Sequence, residues 1–138
     1  MKFFKWEDKY LVGIPELDKQ HQHLVKIIND LYDGMVANQE EEAINKTLAS
    51  LVDYTIYHFK NEENIFKKYN YANYTQHKNQ HDRLTEKVQE IQKKLKDTDE
   101  QLSLDILEFL REWLISHTLS SDQEYAGYFR DRNIDVMQ

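Results

Sequence analysis

Two short stretches carry the side chains best suited to chemistry, His58-Phe59-Lys60-Asn61-Glu62 and His77-Lys78-Asn79-Gln80-His81. Each sets two metal-capable groups four residues apart. Four residues turn an α-helix by about 400°, so each pair returns to nearly one face, a turn further along. A histidine stacked on a carboxylate can grip one ion or bridge two, and two stacked histidines can chelate one.

Long helices are the elements able to hold such pairs. The chain has 138 residues, room for one domain with its own core, and only three Gly and one Pro, too few turn residues for a sheet. The absence of cysteine excludes disulfides, thiolate metal sites and iron–sulfur clusters. A formal net charge of −7 and a pI near 5.3 argue against nucleic acid as a partner, because phosphate binding wants a basic surface. No apolar run approaches the roughly 20 residues of a membrane span. The start, Met1-Lys-Phe-Phe-Lys-Trp-Glu-Asp, meets charge too soon for a secretory signal. A cytoplasmic protein is expected.

Residues 1–16 form an aromatic arm (Phe3, Phe4, Trp6, Tyr10) expected to pack across the domain, since exposed aromatic clusters are unusual. The first helix is expected from Glu16 or Leu17 to about Ala37, with the stripe Leu17, His21, Leu24, Ile28, Leu31, Met35. Gly34 costs its last turn about 1 kcal/mol relative to Ala. Asn38 to Glu41 reads as a cap opening the second helix, whose stripe is Ile44, Leu48, Leu51, Thr55, His58, Glu62, Ile65 or Phe66, Tyr69. Asn73 and Gln76 are candidate caps for a third, striped Tyr74, His77, His81, Leu84, Val88, Ile91, Leu95, before a break at Lys96-Asp97-Thr98-Asp99. A fourth carries Leu102, Ile106, Phe109, Leu110, Trp113 and His117, and a short last helix spans Asp122 to Arg132. Short connections between four amphipathic helices predict one all-α domain over 1–138: an up-down-up-down antiparallel four-helix bundle with an N-terminal arm and a short C-terminal helix.

Five of the six histidines, His21, His58, His77, His81 and His117, fall on core stripes, and every helix of the bundle supplies at least one. His23 is the exception, about 200° round the helix from His21 and facing solvent. Burying five imidazoles and Glu62 without partners would cost several kcal/mol, on the order of that for any unpaired buried polar group. Metal coordination would offset that cost. His58 and Glu62 precede Asn70 by twelve and eight residues, and His77 and His81 follow it by seven and eleven, so the pairs share a level. Five imidazoles suit two ions. Imidazole with carboxylate suits iron, with zinc, manganese or copper open on ligand type alone. Two ions need bridging charge. Glu62 is one bridge, but Asp122 lies five residues after His117, about 140° away on an ideal helix. By geometry alone it reads as a cap or surface acid, unless the helix ends, kinks or widens within Thr118–Ser121.

The set of Asp18-Lys19-Gln20-His21, His58-x-x-x-Glu62, His77-x-x-x-His81 and His117-x-x-x-x-Asp122, together with the arm Trp6…Gly13-Ile14-Pro15 and Trp113-Leu-Ile-Ser-His117, resembles the hemerythrin family, in particular its single-domain bacterial members. The resemblance covers essentially the whole chain. It implies that Asp122 bridges alongside Glu62, that two iron ions are held per chain with an oxo or hydroxo bridge, and that His77, His81 and His117 saturate one iron. His21 and His58 would hold the other, leaving it a vacant position. Glu63, about 100° from Glu62, is expected to face solvent.

That vacancy implies reversible O2 binding, as a hydroperoxide on the iron held by His21 and His58, for carriage, storage or delivery. Nitric oxide or small anions such as azide are expected at the same position. Leu24, Trp113 and Leu114 lie within a turn of the ligands and Ile28 within two, and all four are candidate walls of an O2 pocket. A sensing or iron-holding module is the alternative. A ferritin-like oxidase or peroxidase wants about four Glu and two Glu-x-x-His units, which this chain lacks. Two-zinc hydrolysis is disfavoured because one ion has no room for substrate. Coupled copper would want a sixth histidine, and His23 faces the wrong way. The expectation is therefore a non-enzymatic protein, taken as a monomer.

Overall fold

The computed structural model describes residues 2–98 and 101–136. Five α-helices follow a 3-10 turn at Asp8–Tyr10: α1 Pro15–Val36, α2 Glu41–Lys68, α3 Tyr74–Asp97, α4 Leu104–Leu119 and α5 Ser121–Asp131. Helix α1 packs on α2, α2 on α3, and α4 on both α1 and α5. The four-helix bundle with its arm and C-terminal helix is as the patterning predicts. Asp99 of the expected break lies outside the described residues. Among the described residues no helix is long and apolar enough to cross a membrane.

Three of the five helices, α1, α2 and α5, are closed by asparagine. Asn38, Asn70 and Asn133 have φ of 54°, 55° and 53°. Each is followed by an amide that reaches back to the last turn: Gln39 N to Gly34 O at 3.0 Å, Tyr71 N to Phe66 O at 2.9 Å, and Ile134 N to Phe129 O at 2.9 Å. A left-handed residue after the helix satisfies carbonyls that would otherwise be orphaned, and asparagine is the usual substitute for glycine there. Asn38 therefore closes α1 instead of opening α2, whose N-cap is Glu40 with no side-chain bond. Asn73 makes no capping bond to α3 either; its amide donates to Glu124, 3.4 Å away.

The stripes of α1, α2 and α3 face inward as expected. That of α4 is turned by about one residue: Leu107, Leu110, Leu114 and His117 are buried, while Phe109 is 41% exposed. Leu-Asp-Ile-Leu-Glu-Phe-Leu offers apolar residues on two adjacent faces, and packing selects between them. The apolar core is split in two. One cluster holds Leu24, Ile28, Leu51, Leu84, Leu107 and Leu114, the other Leu17, Ile65, Phe66, Tyr71, Tyr125 and Phe129. On α1, α2 and α3 the candidate ligands lie between these two sets; α4 packs into the first and α5 into the second.

The arm straps the bundle. Asn29 accepts from Phe4 N and donates to Phe4 O, both at 2.8 Å. Arg111 donates to Phe3 O at 3.0 Å and lies over the Phe3 ring, which stacks on Tyr32 at 4.5 Å. At the turn into α1, Gly13 takes φ 83°, a conformation open to glycine. Asp18 there accepts from Val12 N and Gly13 N, at 2.7 and 3.2 Å. Asn29→Ala removes both bonds to Phe4 and should cost about 1–2 kcal/mol in denaturant unfolding with helix content unchanged; an unchanged midpoint would show the arm to be loosely held.

Candidate metal centre

Helix α1 delivers His21, α2 His58 and Glu62, α3 His77 and His81, α4 His117 and α5 Asp122, all buried. Glu62 and Asp122 are 0% exposed. The structure brings all seven predicted residues into one cluster, and leaves His23 at the surface with its ring 4.3 Å from that of Tyr54.

Asp122 reaches the cluster because α4 stops. Ser120, with ψ −77°, interrupts the helix for one residue between Leu119 and Ser121. Its hydroxyl donates to Ser116 O at 2.7 Å, and its own carbonyl accepts from Glu124 N at 3.0 Å. The interruption changes the angular offset, and Asp122 Oδ1 lies 3.1 Å from His117 Nε2.

Each carboxylate divides its oxygens between two groups of rings. Glu62 Oε1 lies 3.1 Å from His81 Nε2 and 3.8 Å from His77 Nε2, while its Oε2 lies 3.5 Å from both His21 and His58. Asp122 Oδ1 lies 3.2 and 3.1 Å from His77 and His117, and Oδ2 lies 3.1 Å from His21. Three rings also point nitrogen at nitrogen, with His117 Nε2 at 3.1 Å from His77 Nε2 and 3.2 Å from His81 Nε2. One proton at most serves each such contact, so the three nitrogens do not satisfy one another. Both nitrogens of His21, Oε1 of Glu62 and both oxygens of Asp122 are buried without a hydrogen-bond partner. Unpaired buried polar atoms are costly and rare, and convergent ones of this chemistry form two overlapping donor groups able to hold metal ions: Glu62, His77, His81, His117 and Asp122, and His21, His58 and Glu62.

The outer atoms are held by residues that sequence reasoning missed. Gln20 Oε1 lies 2.7 Å from His58 Nδ1, and Gln80 Oε1 lies 3.0 Å from His117 Nδ1 while accepting from the Ser121 hydroxyl at 2.6 Å. Tyr125 donates to Glu62 Oε2 at 2.6 Å. Glu63 lies 2.9 Å from His81 Nδ1 with its side chain 16% exposed, so the expectation that it faces solvent is corrected: a turn of 100° from Glu62 aims it at α3. Buried Gln20 sits beside His21, and Tyr125 lies one turn after Asp122. Polar groups at those offsets were the available signal. Phe59 stacks on His81 (3.7 Å, 1°) and Trp113 on His117 (4.5 Å, 14°), fixing both ring planes.

Beside the cluster lies an apolar cavity of about 30 Å³, bounded by Leu24, Ile28, Thr55, Phe59, Trp113 and Leu114 among others. All four predicted wall residues line it. It has room for about two molecules the size of water.

Without metal, the cluster balances its charge with protons. Burial works to lower His21, but Asp122 and Glu62 opposite it prevail and push it up to about 10. His81, likewise opposed by burial, rises to about 9 through Glu62 and Glu63. Burial lowers His58. Burial raises Glu62 and Asp122, but the facing histidines hold both well below the usual carboxylate range.

The family model described as the hemerythrin HHE cation-binding domain matches residues 12–129. A bacteriohemerythrin from Methylococcus capsulatus is 34% identical over 109 residues, spanning 79% of this chain and 82% of the relative. A hemerythrin-like protein from Naegleria gruberi is 32% identical over 124 residues, spanning 90% and 92%. The crystal structure of a wild-type hemerythrin superposes with a TM-score of 0.84 at 30% identity, covering 90% of this chain and 95% of that one.

Metal entering the cluster must displace the protons that His21 and His81 carry at neutral pH. Loading metal-free protein near neutral pH in weak buffer should release protons. Both groups have folded values above the unfolded 6.5. Their stabilisation of the metal-free fold is therefore complete below that pH and is lost as pH rises through about 9 and then about 10. Loading with no proton release would contradict this charge assignment.

Proposed function

The chain belongs to the hemerythrin family, and on that premise we propose that it binds O2 reversibly at a pair of iron ions, as a carrier, store or delivery protein and not as an enzyme. Hemerythrins are oxygen-binding carriers. The observation that carries the reading is the division of carboxylate oxygens. One oxygen each from Glu62 and Asp122 faces His77, His81 and His117, and the other faces His21 and His58. His77, His81 and His117 would hold one iron, His21 and His58 the other, and the two acids would bridge. Three rings with the two acids would fill one coordination sphere and two would leave a position open, which is where O2, or azide or nitric oxide in its place, would be taken up.

The iron pair, when bound, supplies the two electrons that reversible uptake of O2 draws on. The protein's own residues keep that exchange reversible. Leu24, Ile28, Trp113 and Leu114 wall the apolar cavity beside the site, and a dry pocket keeps the bound ligand from being protonated further and lost. Thr55 is the one hydroxyl lining that cavity, and its proton is committed to Leu51 O at 2.7 Å. The Tyr125 proton is likewise committed to Glu62, and burial followed by the Glu62 charge raises that phenol well above its usual range. Neither group is free to donate to a bound ligand. The absence of cysteine and of any helix able to cross a membrane among the described residues fits a cytoplasmic role.

Reduced protein under anaerobic conditions should gain a visible charge-transfer band in air and lose it when O2 is removed, with about two irons per chain by metal analysis. Zinc in place of iron, or irreversible oxidation with turnover, would overturn reversible carriage. Glu62→Ala should lower the iron content, because it removes a donor to both ions, whereas His23→Ala should leave it unchanged. The opposite pattern would overturn the ligand assignment.

A further inference from the structure

The outer nitrogens of the cluster's rings are not treated alike. His58 and His117 face neutral amide oxygens, those of Gln20 and Gln80, and the Gln80 oxygen is shared with the Ser121 hydroxyl. His21 Nδ1 has no partner. His81 alone faces a carboxylate, Glu63 Oε2 at 2.9 Å; among the described residues no other outer ring nitrogen does. Phe59, stacked on His81 at 3.7 Å and 1°, holds the ring plane in which that bond is made. The Glu63 side chain is only 16% exposed, so water screens its charge incompletely.

We propose that Glu63 is a positioning residue that sets the reduction potential of the pair, its carboxylate strengthening His81 as a donor and so weighting the oxidised state toward the three-histidine side. The inference rests on the di-iron reading of the site. A carboxylate on the outer nitrogen of a ligating imidazole draws the ring's proton toward itself and raises the basicity of the inner nitrogen. A more basic donor favours the higher-charged ion. The carboxylate sits on the three-histidine side, and the two-histidine side receives only an amide. The polarity opposes premature oxidation of the ion that takes up the ligand and makes its partner the readier electron source.

Glu63→Gln keeps an acceptor for the His81 Nδ1–H and removes only the charge. Gln80→Glu does the reverse at His117, and serves by itself should Glu63→Gln fail to fold. Iron-loaded wild type and both variants, compared at equal iron occupancy in a mediator-equilibrated titration, test the proposal. At fixed poise the reduced-to-oxidised ratio should rise about tenfold in Glu63→Gln, about 59 mV for one electron, and fall in Gln80→Glu. In metal-free protein the His81 Nδ1–H resonance should move upfield in Glu63→Gln, because an amide accepts more weakly than a carboxylate. Unshifted ratios in both variants overturn the proposal. So do shifts in the same direction, which would report loosening and not charge. A wild type that holds no redox-active iron overturns the functional reading and this inference with it.

Discussion

Two carboxylates buried among five imidazoles are the constraint on which the rest depends. Glu62 and Asp122 are 0% exposed, and a buried anion survives only with counter-charge or metal beside it. The bundle supplies that counter-charge by aiming one or two histidines from each of its four long helices at a single level. It insulates the level with apolar clusters above and below. In the metal-free protein, protons on His21 and His81 take the cation's place. Stability and metal binding are therefore two uses of one electrostatic requirement.

The helices whose chemistry repeats with the helical period were legible from the sequence. His58 with Glu62 and His77 with His81 lie four residues apart on stripes that are buried in the fold, and the shared level followed from distance to the turn at Asn70. Asp122 was not legible from spacing. Its approach depends on a one-residue interruption at Ser120, which no periodicity announces, and only the resemblance pointed to it. The α4 face was ambiguous for a related reason: Phe109 and Leu107 both extend acceptable three–four patterns, and packing buries Leu107. Asn38 misled because asparagine serves at either end of a helix, as N-cap or as left-handed terminator.

The residues behind the ligands were the least visible. Gln20, Gln80 and Tyr125 are ordinary polar residues by type, and only burial gives them meaning. They orient the rings and Glu62 through single hydrogen bonds of 2.6–3.0 Å. The aromatic residues are similarly dual: Phe59 and Trp113 line the apolar cavity and stack on His81 and His117. The walls of the cavity and the orientation of the rings are thus coupled through the same side chains.

The proposed site holds two inequivalent ions, three histidines on one side and two on the other, joined by Glu62 and Asp122. Mössbauer spectroscopy of iron-loaded, oxygenated protein tests it most directly. With O2 taken up on one side only, as proposed, two quadrupole doublets of equal area are expected. A single doublet, from two ions in equal surroundings, would contradict it.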